Sequence, residues 1–488
     1  MATTHVFAIG GTGARILKSL AFLLATGVDT KAGHVIRPVF LDPDKTNEDG
    51  SRAHRALTLY REIKNAVGED SGFFKTTIES PHGNEVNNWG GSLGVEGSGA
   101  YFRDRINFSG LNDGMKELTR GLFGTTLLDT TLEKGYLGNP NIGTVAMNMV
   151  KAEPWFKSFA SNFKDGDDIM LIGSIFGGTG AAGLPLLVKT LRNAIDYDLP
   201  NAGLLKDARI GAIIVQPYFG VQPKAGSPIN ENTFRVKTKA ALLHYRKNVD
   251  SQINAIYALG DDQIMPYPNN EGGSEQENPA HLVEMIGAMN IIHFISRGEK
   301  GFITFGGKEF KEEVNNFDFN HFGPQAVRML QKSMTQYTYA VKYWNDHLRT
   351  AVARKIAWTQ RMNPGGKPLD NAFLDSDKFF SRDLHEFNKL YLEWLREMNE
   401  RQYRRFIPFN VDVGGDNLHE LTVGISQNKV KPRGRMVAFR KVDWTYTDFD
   451  EALNDIEEDI AAGERSRRFF SLFERTTADL FDTHVPQL

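Results

Sequence analysis

From His5 to Gly301 the chain alternates short runs of β-branched and other apolar residues with amphipathic segments. No other feature constrains the fold as strongly, because parallel strands cannot be joined by tight turns and need crossovers, usually helices, packed on the sheet. Strands are predicted at His5 to Ile9, Ile36 to Leu41, Asp168 to Gly173, Ile210 to Gln216 and Ile253 to Leu259. Helices are predicted between them, at Ala14 to Ala25, Ile142 to Phe163, Gly183 to Ala194, Asn232 to Val249 and Pro279 to Phe294. The expected fold class is therefore α/β, a Rossmann-like parallel sheet with helices on both faces.

A chain of 488 residues exceeds one ordinary core, so more than one domain is expected. Residues 1–301 form the expected sheet domain, interrupted by an insertion at 45–134 and by the polar loop Asn269 to Glu277. Residues 302–323 make a loop region. From 324 to 488 the character changes to a helix-rich region, with long helices expected over Met329 to Trp358, Asp383 to Phe406 and Asp448 to Phe481. Extended pieces are expected near Leu421 to Ile425 and Met436 to Trp444.

Composition excludes several classes. A net charge of -3 gives no broad field for nucleic acid. The absence of cysteine removes disulfides, thiolate metal sites and thiol nucleophiles, and makes a reducing cytoplasm the natural compartment. Met1 to Gly10 lacks the basic and long apolar segments of a secretory signal, and no stretch approaches the ~18 apolar residues of a membrane helix. The expectation is a cytoplasmic protein with neither membrane nor nucleic-acid partner.

Two glycine turns carry chemistry. Gly10, Gly11, Thr12 and Gly13 follow the first strand and open a helix, where backbone amides and the helix dipole hold phosphate. Gly177, Gly178, Thr179 and Gly180 repeat that arrangement after the Asp168 strand, with no lysine of a Walker A loop behind them. Either turn alone also reads as a tight strand-to-helix connection. Together, at the carboxyl ends of two strands, they suggest one crevice for one phosphorylated ligand.

Gly177-Gly178-Thr179-Gly180-Ala181, with Pro185 behind it, resembles the signature loop of the tubulin/FtsZ superfamily. Gly10 to Gly13, followed by Arg15 and Ile16, is similar to that superfamily's first nucleotide loop. Gly138-Asn139-Pro140-Asn141-Ile142-Gly143 resembles the loop that caps a helix beside the terminal phosphate. Leu41-Asp42-Pro43-Asp44 and Ile213 to Tyr218 fall in the family's order as well. The chain thus resembles a divergent bacterial tubulin-like protein over 1–321, with a tubulin/FtsZ-type sheet, whereas 324–488 does not resemble the family's small C-terminal domain.

The resemblance implies GTP or GDP with Mg²⁺ as ligands, Asp44 near the metal and terminal phosphate, Arg235 reaching phosphate or ribose, and Asn278 or His281 reading the base. It also implies GTP hydrolysis completed head to tail by a neighbouring copy, with Asn316 and Asp318 supplying the loop that orients water. His321 stands where that loop normally ends in an acid. Partners would be other copies in a filament, and a protein partner on the C-terminal helices. Two alternatives stand beside this GTPase: a switch or scaffold that holds nucleotide without turnover, and a dinucleotide-dependent oxidoreductase built on Gly10 to Gly13.

Overall fold

The computed structural model describes residues 2–485 except 84–87, 92, 94–100, 133–134, 137–138, 223–230, 262–265, 268–272, 274–276, 298–302, 306–314, 363–367, 402–403, 413–417, 426–443 and 458–463. Seven parallel strands form the central sheet: β1 (Thr3–Ile9), β2 (Val35–Leu41), β3 (Thr77–Ile78), β4 (Asp168–Ser174), β5 (Arg209–Val215), β6 (Ala255–Leu259) and β7 (Ile303–Phe305). Their spatial order is β3-β2-β1-β4-β5-β6-β7. The chain therefore builds outward from β1 to one edge, returns, and builds from β4 to the other. Such a reversal opens a crevice at the carboxyl ends of the two strands that flank it, here β1 and β4.

Both faces are covered, as burial on two sides of a parallel sheet requires. Successive residues of a strand point to opposite faces. Val6 and Ala8 of β1 accordingly enter one apolar cluster, and Phe7 and Ile9 the other. Helices α1 (Gly10–Ala25), α2 (Glu48–Val67), α3 (Pro140–Met147), α4 (Pro154–Asn162), α5 (Thr179–Arg192), α6 (Glu231–Asn248) and α7 (Leu282–Arg297) divide between the faces. The side of α3, α4 and α5 is closed by Ile142, Phe156, Phe159, Leu184 and Leu187.

The side of α1, α2 and α7 is closed differently. Helices α8 (Pro324–Asp346), α9 (His385–Asn399), α10 (Tyr446–Glu457) and α11 (Arg465–His484) share one continuous apolar cluster with it. Phe22 of α1 packs edge-on against Phe387 of α9 at 5.4 Å, and the indole of Trp394 donates to Ser19 Oγ at 3.1 Å. Phe470 of α11 lies 5.8 Å from Phe74. The helix-rich region is thus a cover for one face of the sheet.

Several sequence expectations change in detail. The predicted helix over Ile142 to Phe163 is two helices, because Pro154 cannot donate to a preceding turn and instead opens α4. Met329 to Trp358 and Asp383 to Phe406 are likewise shorter: α8 ends at Asp346, and Arg405–Phe406 pairs as a strand with Asn316–Phe317. The 45–134 stretch is only partly an insertion, since α2 packs on α1 and β3 pairs with β2. Leu421 belongs to a short helical turn, Leu418–Leu421, while Met436 lies outside the described residues. No helix among the described residues is long and apolar enough to cross a membrane.

Candidate functional site

The glycine turns meet at the β1/β4 crevice. Gly10 has a φ of +76°, a conformation L side chains rarely adopt, and its α-carbon faces the second turn. A Cβ placed there would lie 3.5 Å from Thr179 Cβ and 3.8 Å from the Gly180 nitrogen. Gly143 lies behind them, its position for a Cβ 3.1 Å from the Gly178 carbonyl oxygen. The structure thus brings Gly10, Thr179, Gly180 and Gly143 together. Gly138 and the side chain of Arg235 lie outside the described residues.

Three helices begin at this place with no side-chain cap: α1 after Ile9, α3 after Asn139 and α5 after Gly178. The first amides of a helix have no partner within it, and together they carry about half a positive charge. Helix α2, starting beside them, is finished in the ordinary way, with Asn47 Oδ1 accepting from the amides of Asp49 and Gly50. Uncapped helix starts of this kind are a general setting for anion binding.

Packing also explains several of the glycines. A Cβ on Gly13 would meet the Ala8 carbonyl carbon at 2.8 Å, and one on Gly180 would meet the Ser174 backbone nitrogen and oxygen at 2.6 Å. Gly143 is closed in by Tyr136 and Ala182. Close approach of helix and strand therefore demands these residues whether or not a ligand is bound, in line with the reading of each turn as a tight strand-to-helix connection.

A cavity of about 830 Å³ opens from the first turn toward β2. Its lining includes Ala8, Gly10 and Ala14, the acidic residues Asp42 and Asp44, and the aromatic residues Phe40, His54 and Trp155. Burial, helped by the carboxylates of Asp44 and Asp49, pushes the Asp42 carboxyl up to about 7. Its Oδ1 accepts the Asp44 amide at 3.1 Å. Asp44 is more heavily engaged: Oδ1 accepts from the amide and hydroxyl of Thr46, and Oδ2 from the Gly273 amide at 2.7 Å. Asp42 is the carboxyl that sequence reading passed over, and its place after β2 and next to a proline was the only signal for it.

On the β5 side the space is filled by the protein. Arg15, expected near phosphate, is buried, with Nε donating to Glu284 Oε1 at 2.7 Å and Nη2 to the Tyr218 hydroxyl at 2.7 Å. Glu284 and the tyrosines raise its pKa well above the ordinary value against the cost of burial, and Asp49 stands 3.6 Å from Nη1. The amide of Asn278 donates to Asp49 Oδ2 at 2.8 Å, so it holds a carboxylate in place. His281 is buried beside Tyr218, and burial with Arg401 and Arg15 drives its pKa well below the usual histidine value. Glu397 of α9 closes the network, accepting from Arg52 and from the Ala280 amide, with the buried Lys18 ammonium 3.7 Å away.

Asn316 lies in the Asn316–Phe317 strand and Asp318 in the cap that follows it. Asp318 Oδ1 accepts from the Asn320 amide and pairs with His321 Nδ1 at 2.9 Å. Arg404, just before the Arg405–Phe406 strand that pairs with Asn316–Phe317, donates to Asp261 Oδ1 at 3.0 Å, and Asp261 follows the carboxyl end of β6. This loop therefore sits at the same end of the sheet as the glycine turns.

Among the described residues no three His, Cys, Asp or Glu side chains gather as a metal cage. No protein-family model and no curated protein matches the chain. What the structure itself defines is an α/β chain with a Rossmann-like parallel sheet and two glycine turns that meet at its switch point.

Proposed function

We propose that this chain binds a nucleoside triphosphate, GTP by its resemblance to the tubulin/FtsZ superfamily, with the polyphosphate lying across the amides that open α1, α3 and α5. The observation that carries the reading is the meeting of the two glycine turns, at the uncapped starts of α1 and α5, with a cavity of ligand size lined by Gly10 at the first of them. Mg²⁺, bound with the phosphates, would be held by Asp42, whose carboxyl lines the cavity, in place of Asp44, whose oxygens serve Thr46 and Gly273. The reaction on this reading is attack of water on the terminal phosphate, with the amides stabilising the charge that develops.

A second reading, a switch that retains nucleotide without turnover, is favoured by two observations. Asp318 is consumed by its own cap at the crevice end of the sheet. The Arg15, Asp49, Lys18, Arg52 and Glu397 network joins α1 and α2 directly to α9, so that movement of the helix starts is felt in the C-terminal helices. In this reading the helices after Pro324 report occupancy to a partner.

The test is to extract the nucleotide that the purified chain carries, then follow GTP and ATP binding, turnover and light scattering beside Thr179→Glu. A carboxylate in the first turn suits a helix start but repels phosphate, so the variant should fold and lose nucleotide. Turnover and scattering that rise together above a threshold concentration identify an assembling GTPase. Tightly held, unhydrolysed GTP identifies the switch, and a wild-type chain that binds no nucleotide rejects the proposal.

A further inference from the structure

The tubulin/FtsZ resemblance sends the base toward Asn278 and His281, yet that space is occupied. Asn278 is spent on Asp49 through both its backbone and side-chain nitrogens, at 3.1 and 2.8 Å. His281 accepts the Val283 amide at Nδ1, lies edge-on to Tyr218 at 5.0 Å, and is 2% exposed. Arg15, fixed by Glu284 and Tyr218, fills what remains between the first turn and β5. Opening this side would separate a buried cation from its carboxylates, which costs several kcal/mol.

The β2 side is built the other way. The cavity that Gly10 lines also has three aromatic rings in its lining, Phe40, His54 and Trp155. Phe40 and His54 are already stacked, with centroids 4.3 Å apart and planes at 25°. Burial holds the His54 pKa down at about 4, so the ring is an uncharged stacking surface at neutral pH. A strap at 88–91 runs alongside the end of β2, with the Phe40 amide donating to Trp89 O and the Gly91 amide to Phe40 O, both at 2.8 Å. Gly91 must lack a side chain, because a Cβ would meet Leu41 at 2.6 Å and the Trp155 ring at 2.8 Å. The strap thus passes close to the indole at Gly91, and Asn88 and His82 also line the cavity.

We infer that this β2-side cavity is the nucleoside subsite: a purine ring seats against Trp155 and the Phe40–His54 pair, with its polar edge toward Asn88, while the phosphates run back to the glycine turns. The inference rests on the nucleotide reading proposed above and reverses the direction in which the ligand leaves the phosphate turns. Stacking on an aromatic face is tolerant of which purine is bound, so ATP and GTP are expected to differ little.

Two measurements on the full chain test it. In wild type, irradiation with 8-azido-GTP followed by peptide mapping should label 40–54, 82–91 or 153–156. Label confined to 278–281 would overturn the inference. In binding titrations, Trp155→Leu should weaken GTP and ATP roughly tenfold or more while leaving inorganic tripolyphosphate unchanged, since only the base touches the indole. Equal GTP affinity in Trp155→Leu and wild type would also overturn it, and would leave the nucleotide reading standing. Failure of wild type to bind GTP, ATP or tripolyphosphate would remove both.

Discussion

The two flanks of the first glycine turn solve the same problem in opposite ways. Toward β5, the molecule packs Arg15, Glu284, Tyr218 and His281 against one another. Toward β2, it lines the space with small backbone segments and three aromatic rings and leaves a cavity. The difference teaches that a glycine turn fixes where phosphate can sit, but neighbouring side chains decide which way a ligand can extend from it.

The comparison breaks most visibly if the filled flank is opened. Glu284→Ala should strand the Arg15 charge and cost about 3–5 kcal/mol in chemical denaturation. A cost under about 1 kcal/mol would mean that the flank is wet and available to a ligand. Next in size, Gly180→Ala forces a methyl into the Ser174 backbone and should cost about 1–3 kcal/mol, with weakened GTP binding as α5 is displaced.

On the cavity side, Asp42 gives a signed pH effect. Its folded pKa, about 7, lies above the ordinary 3.8, so the folded chain holds the extra proton between those values. Stability from this group is complete below pH 3.8 and is lost as pH rises through 7. Asp42→Asn, measured with chelator present, should therefore raise the melting temperature at pH 8 and converge with wild type near pH 4. A variant less stable than wild type at pH 8 would show that the carboxylate is wanted in charged form.

The smallest effect sharpens the comparison. Asn278→Ala removes the amide that serves Asp49 and should cost about 1–2 kcal/mol while leaving GTP affinity unchanged. A loss of affinity beyond the change in stability would mean that the β5 flank touches the ligand after all.

Much of the sheet was legible because parallel strands buried on both faces read as continuous apolar runs, and Ile210 to Gln216 falls within a residue of the observed Arg209–Val215. Helix α2 was hidden by its charge: Glu48, Asp49, Arg52, Arg55, Arg61 and Glu62 obscure the apolar stripe of Ala53, Leu57, Tyr60 and Ile63. β3 has only two residues and carries no pattern at all. The glycine turns were legible in place, whereas the packing duty of Gly13 and Gly180 was not, since it depends on how closely helix and strand approach. Arg15 was the hardest to read, because its carboxylate partner lies 269 residues away.

The shared core has a consequence for how this chain is made. Phe73 and Phe74 sit between the sheet-side helices and Phe470 of α11, and the Gly72 amide donates to Glu474 at 2.7 Å. A nascent chain that has left the ribosome as far as β7 has all seven described strands of the central sheet in hand, yet one face of that sheet still lacks its cover. Contacts spanning some four hundred residues close last and slowly. During synthesis, then, the uncovered face is a surface that a chaperone would hold until α11 emerges to replace it.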